Sequence, residues 1–146
     1  MICAVTRRSF ICGGAAMLGF GETRVPVRDA FDHLLLRVSD LDHGIDWLES
    51  RAGVRGVMGG VHPGRETRNA LVSLGGVHYL EIIAPDPAQT VKDPQFQLGT
   101  VTEPRLINFA VRTNDIATTA ASLSKRAVHV IGPRDGCRTT ASGHLL

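Results

Sequence analysis

The hydrophobic pattern of residues 31–52 predicts a strand followed by an amphipathic helix. Residues 31–38, FDHLLLRV, are mostly apolar and have the length of a strand. The next apolar residues recur at helical spacing: Leu41, Ile45, Leu48 and Ala52. Ser39 and Asp40 are capping residues before the first turn, and Gly53 is a typical residue just past a helix end. We therefore expect a helix that begins after Asp40 and ends before Gly53.

Three shorter strands are predicted after this helix. Residues 54–58 form a short apolar run that ends at Gly59-Gly60. Residues 68–74 and 77–83 are two runs of strand character joined by Gly75-Gly76, a common hairpin signal. Prolines end this strand-helix-three-strands unit, residues 29–83, and residues 84–104 are predicted to be a linker.

The first pattern returns 75 positions later. FDHLLLRVSDLDHGIDWLESRA aligns without gaps with LINFAVRTNDIATTAASLSKRA. Five positions are identical: Arg37/Arg112, Asp40/Asp115, Leu48/Leu123, Arg51/Arg126 and Ala52/Ala127. The alternative is a chance similarity between two amphipathic segments. An internal repeat is the simpler interpretation, and it makes residues 105–146 a second unit. In that unit residues 128–136, VHVIGPRDG, are predicted to begin another strand and a turn, and residues 137–146 to start a hairpin, so about two strands are missing.

Alternation along the predicted strands separates two faces of the sheet. One face is apolar and is expected to pack on the helix: Leu34, Leu36, Val38, Ala70, Val72, Leu74, Leu80 and Ile82. The other, here called the polar face, mixes apolar and polar residues: His33, Leu35, Arg37, Asn69, Leu71, Ser73, Tyr79, Glu81 and Ile83. Apolar walls with a few convergent polar groups are typical of a ligand-binding surface. The structural alternatives are a hydrogen-bonded His33, a Glu81 paired with Arg37 or Arg112, and polar residues on a half-solvated sheet.

The start of the chain differs in composition from the rest. Thr6-Arg7-Arg8-Ser9-Phe10-Ile11 resembles a twin-arginine export signal, so residues 1–28 are predicted to be a leader that directs the protein to the periplasm. A disordered basic start on a cytoplasmic protein is the alternative. The apolar run of residues 10–20 is too short to span a bilayer.

Charge and cysteine content exclude two classes of protein. Residues 1–24 hold three Arg and one Glu of a chain with 16 basic and 14 acidic residues, so the remainder is formally neutral. A neutral domain lacks the basic surface that nucleic-acid binding needs. Only Cys137 lies outside the leader, which excludes a disulfide framework within the domain.

Three segments together resemble the glyoxalase-like branch of the vicinal oxygen chelate superfamily. They are FDHLLLRVSDLDHGIDWLE, GGVHPGRETRNALVSLGG and HYLEIIAPDP, and the resemblance extends over residues 29–146. It implies an α+β fold in which paired βαβββ units form a cup from curved sheets. It also implies a divalent metal in the cup that polarises a substrate with adjacent oxygens.

The resemblance also implies which residues form the site, at the positions that match the family's motifs. His33 and Glu81 match the metal-ligand positions of the first unit, with Zn, Ni, Fe or Mn as the expected ion. Arg37, Asn69, Tyr79, Asn108 and Arg112 are the expected substrate-binding residues. In the second unit Asn108 stands where His33 stands in the first, and the counterpart of Glu81 would lie near position 156. No catalytic residue is assigned.

Several functions therefore remain open. The first is a metal-assisted lyase, isomerase or dioxygenase acting on a small oxygen-rich molecule. The second is a metal-free protein that binds or sequesters a small molecule, as bleomycin-resistance members of the superfamily do, and the third is an inactive truncated copy. A second copy completing the cup would make a homodimer. In the loop HPGRETR, His62, Arg65 and Arg68 either clamp an anionic substrate or form a solvated turn, and we favour the turn.

Overall fold

A computed structural model describes residues 3–5, 30–90, 101–132, 136, 139–140 and 142–144. In these residues the protein has an α+β fold in which helices lie beside one mixed sheet. The strands are β1 Cys3–Val5, β2 Phe31–Arg37, β3 Val57–His62, β4 Thr67–Gly75, β5 His78–Pro85 and β6 Arg105–Arg112; the helices are α1 Leu41–Ala52 and α2 Ile116–Lys125. Most of the predicted leader, residues 91–100 of the predicted linker, and Cys137 lie outside the described residues.

Both helices begin in the same way at equivalent positions of the two repeats. Asp40 accepts a hydrogen bond from the backbone N–H of His43 at 2.9 Å, and Asp115 accepts one from the backbone N–H of Thr118 at 2.9 Å. Gly53 ends α1 in the left-handed conformation, φ 68°, and its N–H donates to the Glu49 carbonyl. The predicted bounds of α1 are therefore confirmed, and α2 follows β6 as α1 follows β2.

The first strands of the two repeats lie side by side within the sheet. Its strand order is β1-β6-β2-β5-β4-β3, with β2 antiparallel to β6 and parallel to β5. Strands β3, β4 and β5 are antiparallel neighbours. The first unit is thus a complete βαβββ unit, and the sheet continues into the second unit through β6.

The core lies between α1 and the apolar face of the first unit. Its buried side chains are Leu36, Val38, Leu41, Ile45, Ala70, Val72, Leu80, Ile82 and Ala84. Gly44 allows the helix to approach Val38, the residue directly after β2, because a Cβ at this position would lie 2.7 Å from a Val38 methyl carbon. This packing leaves the opposite, polar face of the sheet away from the helix.

Three sequence predictions about strands are wrong. Strand β3 covers residues 57–62 and not 54–58, because it passes through Gly59-Gly60 with a bulge in its pairing to β4. Leu74 is 51% exposed, since it lies at the β4–β5 hairpin beyond the reach of the core. Residues 128–132, where a further strand was expected to begin, have no regular secondary structure. Thr139 forms a bridge to Val61 at the edge of β3, and about half of the predicted hairpin, residues 137–146, lies outside the described residues.

Among the described residues, no helix is both long enough and apolar enough to cross a membrane.

Candidate functional site

Three polar side chains are buried on the polar face of the sheet, on three neighbouring strands. His33 on β2 is 3% exposed, Asn69 on β4 is 2% exposed and Glu81 on β5 is 8% exposed. Strand register explains their proximity: Leu35 stands beside Glu81 on the neighbouring strand, and Leu71 stands beside Glu81 on the other side. His33 and Asn69 are therefore both diagonal neighbours of Glu81 on the same face of the sheet.

His33 makes a polar contact through each of its two ring nitrogens. Nε2 lies 3.1 Å from Glu81 Oε2, and Nδ1 lies 2.9 Å from Asp32 Oδ2. The ring stacks on Tyr79, with 4.4 Å between ring centroids. The imidazole is thus held in one orientation between two carboxylates.

These contacts shift the pKa values of both partners. Burial has the largest single effect on His33 and lowers its pKa, but the hydrogen bonds and charges of Glu81 and Asp32 outweigh it and raise the pKa above the ordinary 6.5. Burial likewise raises the pKa of Glu81, yet hydrogen bonds with His33 and Asn69 and the attraction of His62 and His33 bring it below the ordinary 4.5. The charged pair is therefore favoured at mildly acidic pH.

Asn69 links Glu81 to a second histidine. Its side-chain amide donates to Glu81 Oε1 at 2.7 Å and lies 3.3 Å from His62 Nε2. His62 Nε2 is 3.7 Å from Glu81 Oε1, and His62 Nδ1 is 2.8 Å from the Thr67 hydroxyl. The amide nitrogen of Asn69 must face the carboxylate, because the reverse orientation would place two oxygens against each other.

His62 differs from its prediction as part of a solvated turn. It is the last residue of β3, paired with Thr67, and its side chain is only 15% exposed. Arg68, from the same loop motif, lies 3.8 Å from Asp40 and 3.9 Å from Asp42 near the start of α1. The sequence signal that was missed is the continuation of β3 through its two glycines, which places His62 on the polar face.

Arg112 reaches the site from the second repeat. Its Nη2 atom lies 3.5 Å from Asp32 Oδ1 and donates to the Phe31 carbonyl at 3.3 Å. The predicted alternative partners of Glu81 were Arg37 and Arg112; the carboxylate is held by His33 and Asn69, and Arg112 pairs with Asp32. Asp32 is a site residue that alternation along the strand did not reveal.

The two other predicted substrate residues lie on the same face. Arg37 is two alternation steps beyond His33 on β2 and stands directly opposite Arg105 on β6. Asn108 stands opposite Leu35, and its side-chain oxygen accepts a hydrogen bond from the Phe109 N–H at 2.9 Å. Two arginines that stand directly opposite each other make this end of the polar face positively charged.

A divalent metal requires several ligand side chains whose donor atoms lie close together. Across the described ranges, no three His, Cys, Asp or Glu side chains are arranged to hold an ion. His33 Nε2 and Glu81 Oε2 nevertheless lie 3.1 Å apart. Two adjacent ligand atoms of one ion, each at about 2.1 Å, are roughly 3.0–3.4 Å apart. The distance between these two atoms is thus compatible with two ligands of one ion.

A family model described as a glyoxalase-like domain matches residues 31–146. Among solved structures, methylmalonyl-CoA epimerase from Mycobacterium tuberculosis is 20% identical with a TM-score of 0.56, covering 78% of this chain and 73% of the epimerase. A Streptomyces coelicolor methylmalonyl-CoA epimerase variant in complex with 2-nitronate-propionyl-CoA is 21% identical with a TM-score of 0.54, covering 78% and 81%.

A hypothetical protein from Staphylococcus aureus has a TM-score of 0.61 at 22% identity, covering 79% of this chain and 48% of that protein. At these identities the likeness concerns the fold. No curated protein sequence matches the chain significantly.

Proposed function

The chain belongs to the glyoxalase-like domain family of the vicinal oxygen chelate superfamily, and from this premise we propose that it is a metal-assisted isomerase-type enzyme acting on a small oxygen-rich molecule. Its metal ligands are His33 and Glu81, and its site is the polar face of the sheet. Among lyase, isomerase and dioxygenase chemistry, the epimerases among the structural neighbours favour the isomerase type.

The observation that carries the proposal is the position of His33 between two carboxylates. A neutral imidazole has one N–H, so it donates to Asp32 or to Glu81 but not to both. The other nitrogen then presents a lone pair to a carboxylate oxygen about 3 Å away. Either a second proton on the imidazole or a metal ion between the two groups would remove this repulsion. A divalent metal would do so with His33 neutral and Glu81 ionised, which are the forms that bind metal.

A divalent metal held by His33 and Glu81 supplies Lewis-acid polarisation of a carbonyl or enediolate oxygen. The protein's own residues then hold and orient the two ligands. Asn69 donates to Glu81 Oε1 while Oε2 faces His33, and Tyr79 keeps the imidazole plane in position by stacking.

The substrate is proposed to carry an anionic group. Arg37 and Arg105 face each other on the polar face, two alternation steps from His33 along β2. Guanidinium pairs bind carboxylate or phosphate oxygens with two parallel hydrogen bonds. An anion at this end leaves the oxygen-rich part of a small molecule facing His33 and Glu81.

Metal binding to the folded protein tests the proposal. Adding Zn²⁺ to metal-free protein is expected to raise the midpoint temperature, with about 2.7 kcal/mol of added stability at a hundredfold excess over Kd. The rise should disappear in His33→Ala and in Glu81→Ala. His43→Ala, which removes an exposed imidazole of α1, is the matched control and should respond like the parent.

A midpoint that does not move with Zn²⁺, Ni²⁺, Mn²⁺ or Fe²⁺ would contradict the metal site. It would favour the second candidate, a metal-free small-molecule binding protein with the same polar face. One observation favours that candidate: the side-chain oxygen of Asn108 is turned to its own strand, where it accepts from the Phe109 N–H. In that case an oxygen-rich anion should raise the midpoint temperature of the parent without any metal.

A further inference from the structure

We propose that Asp32 is a positioning residue that sets the tautomer of His33, so that Nε2 carries the lone pair facing Glu81. The proposal rests on the proposed function in one respect, since the lone pair is what a metal ion would use. Successive side chains of a strand point to opposite faces of the sheet, so Asp32 would ordinarily point away from the face that carries His33. Asp32 does not follow that rule.

A β-bulge redirects the Asp32 side chain. In the pairing of β2 with β6, Phe31 stands opposite Val111 and His33 stands opposite Ala110, so two steps on β2 match one step on β6. Asp32 is the extra residue. Bulges change the direction of a side chain and are frequent next to active sites. Here the result is that Asp32 Oδ2 lies 2.9 Å from Nδ1 of the neighbouring His33 ring.

The two oxygens of Asp32 have different partners. Oδ2 contacts His33, whereas Oδ1 lies 3.5 Å from Nη2 of Arg112. The same Arg112 nitrogen donates to the Phe31 carbonyl at 3.3 Å, on the residue that precedes Asp32. Arg112 thus holds both the side chain and the adjacent backbone. The second repeat contributes to the site through this support of the carboxylate.

The position of this carboxylate has a chemical consequence. When Nδ1–H donates to Asp32, Nε2 carries the lone pair and becomes the more basic ring nitrogen. Carboxylates that accept from the outer nitrogen of a metal-binding histidine fix its orientation, and their loss typically lowers metal affinity 10- to 100-fold. Without Asp32 the imidazole would donate from Nε2–H to Glu81. Nε2 would then have no lone pair for a metal ion, and the hydrogen bond would occupy the Glu81 oxygen.

The experiment compares Asp32→Ala with the parent and with Asp46→Ala. Asp46 is an exposed carboxylate of α1 paired with Arg55, outside the polar face, and is the matched control. Ring-nitrogen NMR on the metal-free protein, at a pH where His33 is neutral, gives the proton distribution between Nδ1 and Nε2. Titration with Zn²⁺ gives the Kd. Circular dichroism establishes that each variant is folded.

Asp32→Ala should shift the His33 proton toward Nε2 and weaken Zn²⁺ binding 10- to 100-fold, while Asp46→Ala changes neither. If Asp32→Ala does not fold, Asp32→Asn carries the test: it keeps the volume and a weaker acceptor, and it should show the same shift to a smaller extent. An unchanged proton distribution in a folded Asp32 variant would overturn the proposal. If the parent binds no metal, the proposed function fails, and the NMR comparison still decides the role of Asp32.

Discussion

At the residue scale, the site is a chain of polar contacts between neighbouring side chains. Its order across the sheet is Arg112, Asp32, His33, Glu81, Asn69, His62 and Thr67. Sequence alternation predicted that His33, Asn69 and Glu81 share a face. It did not predict Asp32, because a bulge changes which way a side chain points, nor His62, because two glycines concealed the end of β3.

The His33–Glu81 pair predicts how stability depends on pH in the metal-free protein. The pKa of Glu81 is lowered, so its contribution is present above the ordinary 4.5 and is lost as the pH falls through the lowered value. The pKa of His33 is raised, so its contribution is complete below 6.5 and is lost as the pH rises through the raised value. The stabilising effect of the pair should therefore be greatest between about 4.5 and 6.5.

Urea unfolding over a pH series, with a chelator present, measures this dependence for the parent and for His33→Gln. The difference in unfolding free energy between the two proteins should be largest near pH 5.5 and should shrink toward pH 9. A difference that grows steadily from pH 6 to pH 9 would show that His33 is neutral in the folded protein.

At the element scale, the capped helix and the strand-helix order could be predicted because their signals are local. Asp40 caps the start of α1 and Gly53 caps its end, each through a hydrogen bond to a residue three or four positions away. The bounds of β3 could not be predicted in this way, since they depend on pairing with β4 and on the bulge between Met58 and Gly60. A β-bulge depends on the strand that pairs with it, and the local sequence pattern of β3 carries no information about that partner.

The contact between α1 and β2 predicts the effect of a substitution at Gly44. Alanine favours a helix by about 1 kcal/mol over glycine, which alone would stabilise the protein. In Gly44→Ala the new Cβ would meet the Val38 methyl carbons at 2.7 and 2.8 Å, so helix or strand must move. Overpacking of this kind costs about 1–3 kcal/mol.

We therefore expect Gly44→Ala to lower the free energy of unfolding, measured in urea, in spite of its better helix propensity. Val38→Ala in the same background should restore part of the loss, because it removes the methyl groups that clash. Stabilisation by Gly44→Ala alone would mean that α1 packs less closely on β2 than described.

At the scale of the whole molecule, the pairing of β2 with β6 explains why the contacts of the site extend beyond the first βαβββ unit. The first strands of the repeats, β2 and β6, are neighbours in one sheet, and this adjacency brings Arg112 to Asp32. The α+β fold could be predicted from sequence. The pairing of β2 with β6 is a long-range contact, and no periodicity within either unit contains it.

The proposed function requires that His33 and Glu81 are ligands of one metal ion. Anomalous X-ray diffraction at the zinc absorption edge, on crystals of the protein prepared with Zn²⁺, tests it most directly. We expect an anomalous peak bonded to His33 Nε2 and Glu81, with His33 Nδ1 still hydrogen-bonded to Asp32. A zinc-saturated crystal with no anomalous peak there, and with His33 Nε2 still directly hydrogen-bonded to Glu81, would contradict it.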